Sequence, residues 1–294
     1  MTIQLINNYK KFEQEYTDIF QHLFEAALET SEFNFVMTLL AIRGMSDVGW
    51  EPYENTVDVA QEVYNQQNKF EHNLRVNMNL WLYVNLIECS EQFELIANML
   101  RTVKGEDYII ANHKDRNFVN LKLTSKIERL QKIAKDTGFE KVALPFQQSY
   151  NSRLRNAIGH GDYALKGGDR GGVTISDDAG FPIILSHQET SDIVNRGLAL
   201  HAAILGLRDH YIKSYQQSKV IKSSPGFGHG SPIDITIIAR KDKGLLGIRC
   251  IGGHDMGKPF ESRLSRCTSS EMKLIEQGIN DLPAEIPGVE GMRK

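Results

Sequence analysis

Residues 155–163, "RNAIGHGDY", gather the groups in this chain best suited to chemistry. Arg155 brings a guanidinium that clamps phosphate or stabilises developing negative charge. His160 exchanges a proton near neutral pH. Asn156 offers a carboxamide to orient a ring nitrogen or hold a ribose hydroxyl. Together they suit metal-independent RNA cleavage. In that reaction a 2'-hydroxyl attacks its own phosphodiester, a base takes the proton, and a cation stabilises the crowded phosphate. The same residue types also serve plain structure. Arginine and histidine near a helix end cap it or bridge to a carboxylate, and Asp162 is an available partner.

Helical geometry limits what one copy of the motif can do. Asn156 and His160 are four apart and share a face. Arg155 is rotated by roughly 140° from His160 on an ideal helix. The two converge only if the helix stops near His160 or if two copies meet across an interface. Glycines at 159 and 161 place the stop there.

Several neighbours are candidate substrate contacts. Arg153 would add a phosphate contact, Tyr150 and Tyr163 would stack a base, and Asn151 would extend the polar face. Arg170 lies in "GGDRGG", which has the backbone freedom of an anion-binding nest but lacks the lysine and hydroxyl of a phosphate loop. His72 and Arg75 sit three apart on a predicted helix and are candidates for the same cleft. His229, His254 and Asp255 fall in glycine-rich turns whose spacing fits no standard metal-ligand pattern. No metal and no cofactor is expected.

These residues must be positioned by helices. Residues 11–43 read as one helix, with Phe12, Tyr16, Ile19, Leu23 and Ala27 at helical spacing. "RGMSDVGWEPYENT" then breaks the pattern. A second helical region covers about 56–101, striped by Leu82, Leu86, Cys89, Phe93, Ile96 and Leu100. A third is predicted over 124–137, opened by a Ser125–Glu128 capping box and closed at Gly138. A fourth follows Pro145 and carries the motif. "VTI" and "FPIIL" around "SDDAG" predict a hairpin, with Pro182 on an edge. Ser186 and Glu189 form a capping box for the next helix, in which Gly197 permits close helix approach. After residue 217 a loop or linker leads to two strands around "KDKG", a short helix over 268–279 and a tail.

The expected fold is therefore mainly α. It divides into an N-terminal helical extension (1–55), a helical bundle (56–217) with a hairpin at 171–185, and a small C-terminal α+β extension (218–294). Of the 294 residues, 41% are hydrophobic and 24% charged, an ordinary globular balance. The net charge of −3 excludes a global cationic field for wrapping duplex DNA, so any RNA site must concentrate its arginines locally. Three cysteines at 89, 250 and 267, an odd number, suit a reducing compartment. The chain opens without a signal-peptide pattern and has no apolar run near the roughly 20 residues of a membrane span. A cytoplasmic protein without membrane association is expected.

The motif resembles that of the HEPN superfamily: an arginine, a four-residue gap and a histidine, with a polar residue following the arginine. "LRNAIGHGDY" is close to the "RN-xxx-HG" form of bacterial members, and the likeness covers roughly residues 60–217. Tyr163 is similar to a tyrosine of the toxin branch but falls three residues after His160 rather than two. The resemblance implies an all-helical bundle that forms a homodimer, with two copies of Arg155, Asn156 and His160 making one composite RNase site at the interface. It implies RNA as substrate and an antitoxin or defence-system protein as partner. Because some members only bind, a non-catalytic binding or scaffolding module is the competing expectation.

Overall fold

The structure, a computed structural model, describes residues 3–40, 58–60, 62–63, 65–66, 69–108, 118, 121–165, 172–176, 180–227 and 230–250. Its helices are α1 (Ile3–Thr30), α2 (Glu32–Leu40), α3 (His72–Glu88), α4 (Ser90–Val103), α5 (Leu123–Asp136), α6 (Leu144–Ser149), α7 (Ser152–His160) and α8 (His187–Ser214). A 3-10 turn over Glu140–Ala143 precedes α6. The strands are β1 (Tyr163–Leu165), β2 (Val173–Ser176), β3 (Pro182–Leu185), β4 (Lys219–Lys222), β5 (Asp234–Arg240) and β6 (Gly244–Cys250). The fold is mainly α, a helical bundle with a small antiparallel β-insertion and a C-terminal antiparallel sheet. The helix expected over 268–279 and the tail lie outside the described residues.

The long helices α1 and α8 lie against each other and carry much of the core. Along α1, Phe12, Tyr16, Phe20, Leu23, Phe24 and Ala27 are buried, a stripe at spacings of three and four. Phe24 stacks on Tyr211 of α8 with ring centroids 5.5 Å apart. Phe146 of α6 joins Phe20 to Phe93 of α4, at 6.1 and 4.6 Å. The first 40 residues thus feed the same buried cluster as α8. Each such side chain contributes about 1.5–3 kcal/mol through apolar burial.

Two stretches expected to be continuous helix are interrupted among the described residues, the second of them at residues 69–71 as well as at Cys89. The first divides at Ser31, whose Oγ accepts from the Asn34 N–H at 3.3 Å and so caps α2. The second divides again at Cys89, where backbone φ −58° and ψ 109° end α3 before α4 begins. The Ser125–Glu128 box is also corrected. Helix α5 starts at Leu123 and its N-cap, Lys122, makes no side-chain cap bond. Buried Leu123 and Phe118 anchor this entry, which leaves Ser125 inside the helix. Gly138 follows the end of α5 with φ +76°, as its C-cap role requires.

The β-insertion is a meander in the order β1-β2-β3, one strand more than the predicted hairpin. Tyr163 pairs with Ile175, and Val173 with Leu185. Val173 and Ile175 are buried, and β2 packs on α7. Pro182 opens β3, an edge strand, where its missing N–H leaves no ladder bond unmade. Helix α8 has the predicted capping box: Glu189 N–H donates to Ser186 Oγ at 3.2 Å, and Ser186 N–H to Glu189 Oε2 at 2.8 Å. The C-terminal sheet runs β4-β5-β6. Residues 219–222, expected as linker, form the edge strand β4, whose terminal lysines are exposed and oppose edge-to-edge pairing.

Candidate functional site

Helix α7 carries the motif, and both of its ends are fixed by local chemistry. Asn151 is the N-cap: its side chain accepts from the Leu154 N–H at 2.9 Å. Leu154, Ala157 and Ile158 are buried and hold the helix to the bundle. At the other end Gly161 adopts φ +74°, a left-handed conformation that costs other residues roughly 1–2 kcal/mol. There the Asp162 N–H donates to the Ala157 carbonyl at 2.8 Å. The helix therefore stops at His160, which is exposed at its C-terminus.

The junction before α7 is pinned from below by Tyr83 of α3. Its ring is fully buried, and its hydroxyl donates to the Ser149 carbonyl at 2.8 Å while accepting from the Asn151 N–H at 3.2 Å. Burial raises the phenol's pKa, so the donor stays protonated. Gly197 of α8 makes room for this ring, since a Cβ there would lie 2.6 Å from Tyr83 Cδ2. That is the close approach expected of Gly197.

Arg155 points to a partner the sequence did not disclose. Its Nε donates to Glu88 Oε1 at the end of α3, forming an ion pair, and its Nη1 donates to Asn156 Oδ1 at 2.9 Å. Glu88, rather than Asp162, is the bridging carboxylate. Its hydrogen bond raises the guanidinium's pKa further, so the positive charge is permanent. The arginine and glutamate side chains remain 31% and 36% exposed. A guanidinium has five N–H donors, and among the described residues these two bonds use two of them. Asn156 was expected to orient the histidine or substrate; its side-chain oxygen accepts from Arg155. Tyr150 lies half-buried in the same field: burial raises its phenol pKa, the Arg155 charge lowers it and Glu88 raises it.

Tyr163 begins β1 and donates to Asn77 Oδ1 of α3 at 2.7 Å. It lines an open groove of about 700 Å³ together with Asn73, Asn77, Trp81, Ile158, Gly161 and Leu165. Ile158 and Gly161 bring this groove against the C-terminal end of α7. Trp81 is 55% exposed on its wall. Neither Trp81 nor Glu88 was predicted; the available signal was an indole and an acid on the polar face of α3. The wall facing α3 is built by Asn73 and Asn77, not by His72 or Arg75.

Arg153 is exposed on α7. Arg170, His229, His254 and Asp255 lie outside the described residues. Among the described residues, no group of three or more His, Cys, Asp or Glu side chains is arranged to hold a metal ion, and no helix is long and apolar enough to cross a membrane. No known family, curated protein or solved structure matches the chain.

Proposed function

We propose that the chain is a metal-independent endoribonuclease of toxin or antiphage-defence type, acting at a composite site between two copies. The observation that supports this most is the state of Arg155. It is oriented by Glu88 and Asn156, permanently charged, partly exposed, and among the described residues keeps three N–H donors unpaired, on the helix that ends in exposed His160. In the reaction, His160 accepts the proton of a 2'-hydroxyl as that oxygen bonds to phosphorus. The P–O5' bond breaks, leaving a 2',3'-cyclic phosphate, and the partner copy's motif returns a proton to the departing 5'-oxygen. Arg155 stabilises the additional charge on the phosphate oxygens. Tyr150, Arg153 and Tyr163 would supply further contacts to the strand.

A second reading has an observation in its favour. The Arg155–Glu88 pair gives the arginine a partner within the chain, a use that needs no substrate and suits a binding or scaffolding module. Cleavage of RNA by the purified protein in EDTA separates the two. Removing a general acid–base residue costs on the order of 10²–10⁴-fold, so H160A and R155A should each lose most of the activity of the wild type. Equal activity in all three sinks the mechanism, and a strictly monomeric active enzyme sinks the composite site.

A further inference from the structure

We propose that the groove beside α7 is a subsite for an unpaired nucleobase, with Trp81 as the stacking platform and Asn73 as the reader of the base edge. The proposal rests on the reading of the adjoining motif as a site for RNA. Asn73, Asn77 and Trp81 are spaced by four along α3 and form one row on its exposed face. Trp81 presents an indole that is 55% exposed, which is unusual for a residue of its size. Asn77 is already committed: Oδ1 accepts from Tyr163, and Nδ2 donates to the Asn73 carbonyl at 3.0 Å. It fixes the tyrosine wall. Among the described residues nothing bonds the Asn73 carboxamide, so its donor and acceptor remain for a ligand.

Charge selects the occupant. The groove lining contains no charged side chain, whereas its α7 end is formed by Gly161, next in sequence to His160, and Arg155 lies five residues before His160 on the same helix. A nucleotide has the same division: a flat neutral base at one end and an anionic phosphate at the other. The volume of about 700 Å³ lies within the range of sites that hold small ligands and accommodates one nucleotide with its flanking sugar. A carboxamide supplies a donor–acceptor pair that matches adenine N6 and N7, so adenine is the base favoured. Stacking on an aromatic ring tolerates every base and supplies the affinity.

The test uses a short 2'-deoxy-substituted oligonucleotide, which binds but offers no 2'-hydroxyl for cleavage. Trp81 fluorescence is followed in a W50F background, leaving one indole in the chain. Adenine oligomers should quench it and ribose 5-phosphate should not. With binding read from the anisotropy of a dye-labelled oligomer, W81A should weaken it about 5- to 150-fold, the effect of losing one base–aromatic stack, and W81F should restore most of it. N73A should reduce the preference for adenine over uracil. Unchanged affinity in W81A overturns the subsite. So does dissociation of an oligomer by W81A without an effect on binding, which would make a second copy the occupant. Quenching and W81A-sensitive binding in a protein that cleaves nothing would uphold the subsite and sink the nuclease reading. Cleavage by the wild type with unchanged W81A binding would do the reverse.

Discussion

Tyr83→Phe deletes one oxygen atom and should loosen the platform on which the motif stands. The hydroxyl serves two backbone groups at the junction of α6 and α7, donating to the Ser149 carbonyl at 2.8 Å and accepting from the Asn151 N–H at 3.2 Å. The ring is fully buried and stays in the Phe variant, so no packing is lost. Each unsatisfied buried backbone group costs about 1–3 kcal/mol. Asn151 is only half-buried, so its N–H recovers part of that from water. The expected loss is about 2–4 kcal/mol. In a chain of this size, it lowers Tm by roughly 4–16 °C. Urea titration gives the free energy directly, with an unchanged slope confirming that the unfolded state is unaffected. Alkali adds a second signature. Burial raises the folded phenol above its ordinary 10.0, so its contribution is complete below pH 10 and declines as pH rises beyond it in the wild type. The Phe variant lacks that decline. A loss below about 0.5 kcal/mol would refute the claim that this hydroxyl holds the start of α7.

The remaining predictions concern neighbouring contacts. Gly197→Ala sets a helix-propensity gain of up to about 1 kcal/mol against a Cβ placed 2.6 Å from the Tyr83 ring. The collision wins because the ring is pinned by its hydroxyl, and denaturant titration should show a net loss of about 1–3 kcal/mol. Glu94 is buried on α4 and its pKa is raised to about 7, chiefly by burial, against a lowering by the Phe118 N–H and by Arg101 and Arg129. The folded state holds this proton more tightly than the unfolded one. Its contribution is therefore full below pH 4.5 and is lost as pH rises to about 7. E94Q should flatten stability over that window, and an unaltered pH profile would contradict the assignment. E88Q removes the charge facing Arg155. On the RNA-binding reading it should tighten binding of a 2'-deoxy-substituted oligonucleotide and steepen the log K against log salt slope by about 0.7. Equal affinity and equal slopes would show that the Glu88 charge does not oppose phosphate at this site.

Legibility followed sequence distance. Helix α8 was readable because its start rests on two residues three apart, Ser186 and Glu189, and its small face on Gly197. The end of α7 was readable because only glycine suits the backbone at Gly161. The breaks at Ser31 and Cys89 were not. Neither has a proline or glycine, and the apolar stripe from Leu82 through Cys89 to Phe93 keeps its spacing across the gap. Ser125 failed for a related reason: a capping pair is a local pattern, and burial of Leu123 set the N-cap three residues earlier, at Lys122. Glu88 lies 67 positions from Arg155, and an acid on a polar helix face looks the same whether solvated or paired. Trp81 is hidden in the same way, since a lone aromatic on that face reads as a boundary residue until Tyr163 and Gly161 are folded against it.

What the Glu88 contact means for function depends on its strength, and exposure sets that. A carboxylate–guanidinium pair that water reaches from both sides is worth about 0.2–1 kcal/mol, because solvent screens it and two long side chains must be held still. Such a pair does not lock α7 to α3. Leu154, Ala157 and Ile158 do that, together with the buried hydroxyl of Tyr83. The pair instead aims the guanidinium, and at little energetic cost to displacement. A phosphate approaching Arg155 meets N–H groups that no described residue uses, so it need not expel the carboxylate to bind. Had the arginine served only as a brace, burial and saturation of its donors would be the efficient arrangement. Its partial exposure and half-used fork fit a group held ready for an anion, and they put the burden of discrimination on the cleavage and salt-dependence measurements rather than on the ion pair itself.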